Sequence, residues 1–185
     1  LICIRQSLRA TERAVHAVRD AIRPGITENE LWAELHRVVI AEGGDYVETR
    51  LMTAGTNTNP WFQECSAAVI GNGDVVAFDT DLVGAFGMMT DISRTWVCGD
   101  APPTPAARHA HDLAVEQITR NTELFGPGAT FHELVHKAWY PPEEEYRHYS
   151  VLSHGVGQCD EYPSLPFPSA WDNSGYDGVL EPGMV

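Results

Sequence analysis

DVVAFDTDLVGAFGMMTDISRTWVCG, residues 74–99, decides the fold, because it reads as two strands that have to pair. Two runs rich in β-formers, 75–82 and 88–98, flank a turn bearing Gly84 and Gly87, which is a hairpin signal. Side chains alternate across a strand, so Asp79 and Asp81 share a face. With the turn centred near Ala85, Asp91 falls opposite Asp79, and three carboxylates converge. Like charges across a ladder repel, and drying them together costs more. Either the face is solvated or forms a capped turn, or a divalent cation sits among the oxygens. The apolar neighbours Ala77, Phe78, Ile92 and Trp96 make the hairpin look buried and favour the cation.

Upstream, residues 4–22 repeat Leu8, Val15, Val18 and Ile22 at helical spacing and stop at Pro24-Gly25. Thr27 and Glu30 form a capping box for a second helix that runs to about Ala41 and closes at Gly43-Gly44. A strand is expected over 46–52, followed by a polar loop over 55–60. Trp61-Phe62-Gln63-Glu64 then sets aromatics beside polar groups; it reads as a core plug beneath the loop or as one wall of a ligand pocket, the plug being favoured on sequence alone. Downstream, Pro102-Pro103-Thr104-Pro105 makes a stiff connection, with Thr104 capping a helix to about Phe125. Thr130 opens a shorter helix that ends before Pro141-Pro142. Helices packed on an antiparallel sheet, an α+β domain, follow from this order.

The chain has 185 residues, enough for one domain with a real core, and its 43% hydrophobic content suits a globular protein. A formal net charge of −14 disfavours nucleic acid and anionic membranes and tolerates a cationic substrate. With no membrane-length apolar run and no signal peptide, a cytoplasmic location is expected. The four cysteines lack any CxxC pairing and read as small buried thiols in a reducing compartment. Leu1 starts inside a helical pattern, and the last residues open a turn that launches an apolar strand, so the expectation is a fragment.

Two histidine-bearing stretches compete for the chemistry. His132-Glu133-Leu134-Val135-His136 matches HExxH, the zinc-and-general-base pattern, but Thr130 and Glu133 equally make a capping box, which is the expected role. His109 and His111, two apart on a helix, face apart. In residues 149–163 an apolar strand delivers His154 into a Gly155-Val156-Gly157 turn, where small residues permit close backbone approach to a ligand. His154 is then either a buried hydrogen-bonded histidine or the nitrogen ligand of a carboxylate-held metal; beside the hairpin, the ligand reading is favoured.

Asp79, Asp91 in TDISRTW and His154 in SHGVG resemble the ordered metal ligands of the pita-bread metallohydrolase superfamily (creatinase, prolidase, methionine aminopeptidase). The resemblance implies a two-metal site of two aspartates, one histidine and two later glutamates. It also implies a curved antiparallel sheet with helices on its outer face, one catalytic domain over 1–185 truncated before the glutamates, and a homodimer when full length. Peptidases of this fold carry a histidine where Trp61 follows Pro60, and another where Asp160 precedes Glu161-Tyr162-Pro163. Their loss argues against peptide hydrolysis. Together with the extra Asp81, NPWFQE, FDTDLVG, DISRTW and HGVGQCDEYP resemble the dimethylsulfoniopropionate lyase branch of marine bacteria.

That branch implies Asp79, Asp81, Asp91 and His154 as metal ligands, Asp160 as general base and Tyr149 on substrate. Iron is the implied metal, although carboxylate-plus-imidazole sites also accept manganese, zinc or cobalt. β-Elimination needs a base for the proton α to a carboxylate, and a partly buried Asp160 with a raised pKa suits that task. Tyr149 can donate to the substrate carboxylate, and aromatic faces such as Trp61 suit a sulfonium cation. Little activity is expected of the chain without the two glutamates. The alternatives are a metal-dependent Xaa-Pro aminopeptidase or dipeptidase, and a non-catalytic module of the same fold.

Overall fold

The computed structural model describes residues 1–185, which divide into two compact units: Leu1–Pro103 with Val156–Asp160, and Thr104–Gly155 with Glu161–Val185. The boundary falls within the proline-rich connection, where fixed φ angles and missing N–H groups stop both helix and sheet.

The first unit opens with α1 (Ile2–Ala21) and α2 (Glu28–Ala41). Thr27 caps α2 through the expected box: its hydroxyl accepts from Glu30 N–H at 3.2 Å, and the Glu30 carboxylate accepts from Thr27 N–H at 2.8 Å. Six short strands follow: β1 (Tyr46–Val47), β2 (Met52–Ala54), β3 (Val75–Phe78), β4 (Asp81–Val83), β5 (Met89–Asp91) and β6 (Arg94–Val97). They form two antiparallel sheets, ordered β1-β4-β5 and β2-β3-β6. The single strand expected over 46–52 is divided, β1 joining one sheet and β2 the other. Each arm of the hairpin is divided too, at residues 79–80 and 92–93, although the register stays in step from Val75↔Val97 to Val83↔Met89.

Phe78, Leu82, Val76 and Met52 are fully buried and pack with Val18, Leu31, Leu35 and Val39 of the two helices. Each such side chain contributes about 1.5–3 kcal/mol by leaving water. Phe78 stacks on Trp96 at 5.2 Å, so the buried-hairpin expectation holds on that side. The polar exceptions on α1 are matched: Thr11 and Thr90 share a 2.6 Å hydroxyl contact, joining α1 to β5. Gly84 lies so close to Ser7 that any Cβ would overlap it, which fixes glycine at the start of the turn.

The second unit comprises α3 (Pro105–Thr122), α4 (Phe131–Lys137), β7 (Val151–His154), β8 (Ser164–Pro166) and the short α5 (Trp171–Ser174). Thr104 and Thr130 cap α3 and α4 as the sequence implies, though α3 stops at Thr122 rather than near Phe125. Its core is Phe131, Leu134, Val135 and Leu165, with Leu152, Trp171 and Tyr176 packed against it. At the C-terminal end the expected turn forms, Met184 N–H donating to Glu181 O at 3.2 Å, and just before it Val179 makes one bridge to Thr130. Cys65 and Cys98 are buried thiols as expected; Cys159 is exposed and Cys3 half-buried, so the expectation fails for those two.

Candidate metal centre

The alternation that buries Thr80, Leu82 and Thr90 turns Asp79, Asp81 and Asp91 to the other face of the hairpin, all half-buried. One ligand oxygen from each lies within 4.8 Å of the others. The pairing differs from expectation: Asp91 stands opposite Asp81, not Asp79. The turn is centred one residue later, on Phe86, which adopts φ 64°, and this moves every cross-strand partner by two residues, leaving each side chain on its expected face. Asp79 instead lies in the interval beyond β3, its N–H bonded to Leu51 O at 2.8 Å.

Two hydroxyls missed at the level of sequence serve this cluster. Ser93 donates to Asp79 Oδ1 at 2.7 Å, and Thr49 donates to Asp81 Oδ2 at 3.1 Å. Ser93 had a usable signal, lying two residues beyond Asp91 on the same face. Thr49 had none, since it comes from the irregular segment between β1 and β2. Burial, and next the charge of Asp91, push the Asp79 carboxyl from 3.8 up to about 7 despite the Ser93 bond. A carboxyl so displaced, by burial first and then by its neighbours, is one that positive charge would stabilise, and three converging carboxylates fit a divalent cation such as iron, manganese or zinc.

Two other expected residues sit in the first unit. Asp160 is half-buried at the end of the Val156–Asp160 segment, which is joined to β5 by a 2.6 Å bond from Met89 N–H to Gly157 O. Trp61 is half-buried and meets the exposed Phe62 edge to face at 5.9 Å, Phe62 holding φ 72°. Neither ring belongs to the unit's core cluster, so the plug reading has no support in the packing.

The second unit holds His154 and Tyr149. His154 ends β7, half-buried, with Nδ1 3.1 Å from Gly155 O. Gly155 is needed for close approach to the chain itself, because a Cβ there would meet Tyr162 O at 2.5 Å. Tyr149 is 38% exposed and donates its hydroxyl to Glu161 at 2.9 Å. The HExxH segment resolves as a cap: Thr130 and Glu133 are reciprocally bonded, and Lys137 holds the same carboxylate at 2.9 Å. These bonds, that of Lys137 foremost, lower the Glu133 carboxyl to about 2, in keeping with a capping role. No helix is long and apolar enough to cross a membrane.

Comparison with known proteins gives this geometry a setting. The chain is 41% identical over its whole length to the dimethylsulfoniopropionate lyase DddP of Roseovarius nubinhibens, spanning 43% of that protein. Over 98% of its length it is also 41% identical to the DddP of Roseobacter denitrificans, spanning 42% of it. The prolidase from Pyrococcus furiosus superposes with a TM-score of 0.79 at 24% identity, over 98% of this chain and 52% of the prolidase. The chain thus covers less than half the length of these lyase relatives, and its α+β architecture is the pita-bread fold. The model of metallopeptidase family M24 matches residues 2–185, and the chain belongs to that family.

Proposed function

We propose that the protein is a metal-dependent lyase that eliminates dimethyl sulfide from dimethylsulfoniopropionate, leaving acrylate and a proton. The carrying observation is the 41% identity, along the whole chain, to two proteins named as that lyase. Aspartate at position 160 and tryptophan at position 61, where peptidases of the fold carry histidines, support the same choice. Asp79, Asp81, Asp91 and His154 are the proposed ligands, and both units are read as parts of one catalytic domain. Iron and a homodimeric assembly rest on the resemblance, and a cytoplasmic location on the sequence reading.

A bound divalent cation supplies Lewis-acid stabilisation for the charge that builds on the substrate carboxylate. Asp160 takes the α-proton; the electron pair forms the carbon–carbon double bond while the carbon–sulfur bond breaks toward sulfur. Tyr149 orients the substrate carboxylate through its hydroxyl, which must first leave Glu161. Trp61 offers an aromatic face to the sulfonium methyls.

Headspace measurement of dimethyl sulfide tests this in the full protein. Asp160→Asn is expected to lower release by about 10²–10⁴-fold, the usual weight of a general base. Release at the unsubstituted rate overturns the role of Asp160, and cleavage of Xaa-Pro dipeptides without sulfide release establishes the peptidase instead.

A further inference from the structure

Tyr149 already holds a carboxylate, and it is one of the chain's own. Its hydroxyl donates to Glu161 Oε1 at 2.9 Å, across 12 residues of sequence, joining the segments that lead into β7 and β8. Both flanks of this bond are anchored within the second unit. On one side the His148 ring stacks on Phe167 at 3.7 Å, and its Nδ1 lies 2.7 Å from Tyr149 O. On the other, Pro163 O accepts from Gly155 N–H at 2.9 Å, and Tyr162 stacks on Tyr176, whose hydroxyl accepts from Ser164 N–H at 2.9 Å. Glu161 itself is held at φ 57°, a left-handed conformation that is costly for a bulky residue and that surrounding contacts must impose. Both side chains are exposed, so the hydroxyl can change partner by side-chain rotation while the backbone stays in place.

We propose that Glu161 is a positioning residue acting through Tyr149: its carboxylate occupies the place on the hydroxyl that the substrate carboxylate takes, and substrate binds by exchanging with it. The identity of the incoming carboxylate rests on the lyase reading above. A phenol bonded to an anionic oxygen makes a stronger contact than one bonded to a neutral acceptor, so only another carboxylate replaces Glu161 at little net cost. Neutral ligands are thereby disfavoured, and Tyr149 is kept aimed at a carboxylate oxygen before substrate arrives. The apparent affinity for substrate scales with the fraction of molecules in which the hydroxyl has been released. Glu161 directly follows Asp160, so the residue that controls Tyr149 and the proposed base are neighbours in the chain.

The test follows dimethyl sulfide release by the full protein together with titration calorimetry of propionate, a carboxylate with nothing to eliminate. Glu161→Gln keeps the size but offers a neutral acceptor; Glu161→Asn tolerates the left-handed backbone and is too short by one methylene. Each is expected to lower KM and the propionate dissociation constant by about threefold or more, the change falling on KM rather than kcat. In a Tyr149→Phe background the same substitutions should change neither constant. Plain repulsion between Glu161 and an anion would act in both backgrounds, and a merely structural role would raise KM. Either result overturns the exchange, as do unchanged constants in both variants. The calorimetry needs no turnover. The expected propionate pattern without sulfide release removes the lyase reading and keeps the exchange, while sulfide release with no effect on propionate removes the exchange alone.

Discussion

Asp79 is where the energetic conflict in this molecule concentrates. Its carboxyl shares a half-dry face with Asp81 and Asp91, and its pKa rises from 3.8 to about 7. In metal-free protein the folded state therefore holds a proton that the unfolded chain has released. Between those two values the native state binds more protons than the unfolded state, so stability must fall as pH rises. The contribution is fully present below 3.8 and is lost as pH climbs through about 7. Urea midpoints of EDTA-treated protein at about pH 4 and about pH 7.5 should show this decline, and Asp79→Asn should flatten it. A wild-type profile no steeper than that of the asparagine variant contradicts the assignment. Divalent metal reverses the slope, because the cation binds the deprotonated carboxylates and gains affinity as pH rises. Ser93 tempers the conflict by donating to Asp79, so Ser93→Ala should move the pH midpoint of metal binding upward. A midpoint that stays or falls would show that the hydroxyl does not act on Asp79.

At the scale of elements, local signals and long-range ones were unequally legible. Caps were readable because Thr27–Glu30 and Thr130–Glu133 are reciprocal bonds within one turn, written in four consecutive residues. The hairpin was readable in kind but off by two residues in register, since the turn centres on Phe86, which joins Gly87 in the left-handed region, rather than on Ala85. What joins α2 to the sheet was not readable at all. Glu28 is fully buried, accepting from Ala54 N–H at 2.8 Å, Ser66 N–H at 2.9 Å and the Ser66 hydroxyl at 2.7 Å. Those donors lie 26 and 38 residues away, beyond any periodic pattern. They bracket the loop that carries Trp61, so one carboxylate fixes both of its ends. Glu28→Gln replaces one acceptor oxygen with an NH₂ group facing N–H donors. It should cost roughly 2–4 kcal/mol in chemical denaturation, and Glu28→Ala at least as much. A change below about 0.5 kcal/mol would mean that the loop is anchored by other contacts.

On the scale of the whole molecule, composition and element order led to the α+β class, and the Asp79–Asp81–Asp91 grouping was legible because strand alternation is strict. The division of the chain was not. The run HGVGQCDEYP reads as one motif, yet Gly155 belongs to the second unit and Val156–Asp160 to the first. That return depends on a bond between Met89 and Gly157, a pairing across the sequence that no local pattern encodes. The ligand set is accordingly best tested through global stability. Mn²⁺ at about a hundred times its dissociation constant stabilises a folded protein by about 2.7 kcal/mol, raising the melting temperature by roughly 5–10 °C at this size. Scanning calorimetry of EDTA-dialysed protein with and without Mn²⁺ should show that rise, and Asp79→Asn with Asp91→Asn should abolish it. His154→Ala is the discriminating variant: an imidazole ligand predicts that most of the rise disappears, whereas a full rise removes His154 from the set and leaves the metal to the carboxylates.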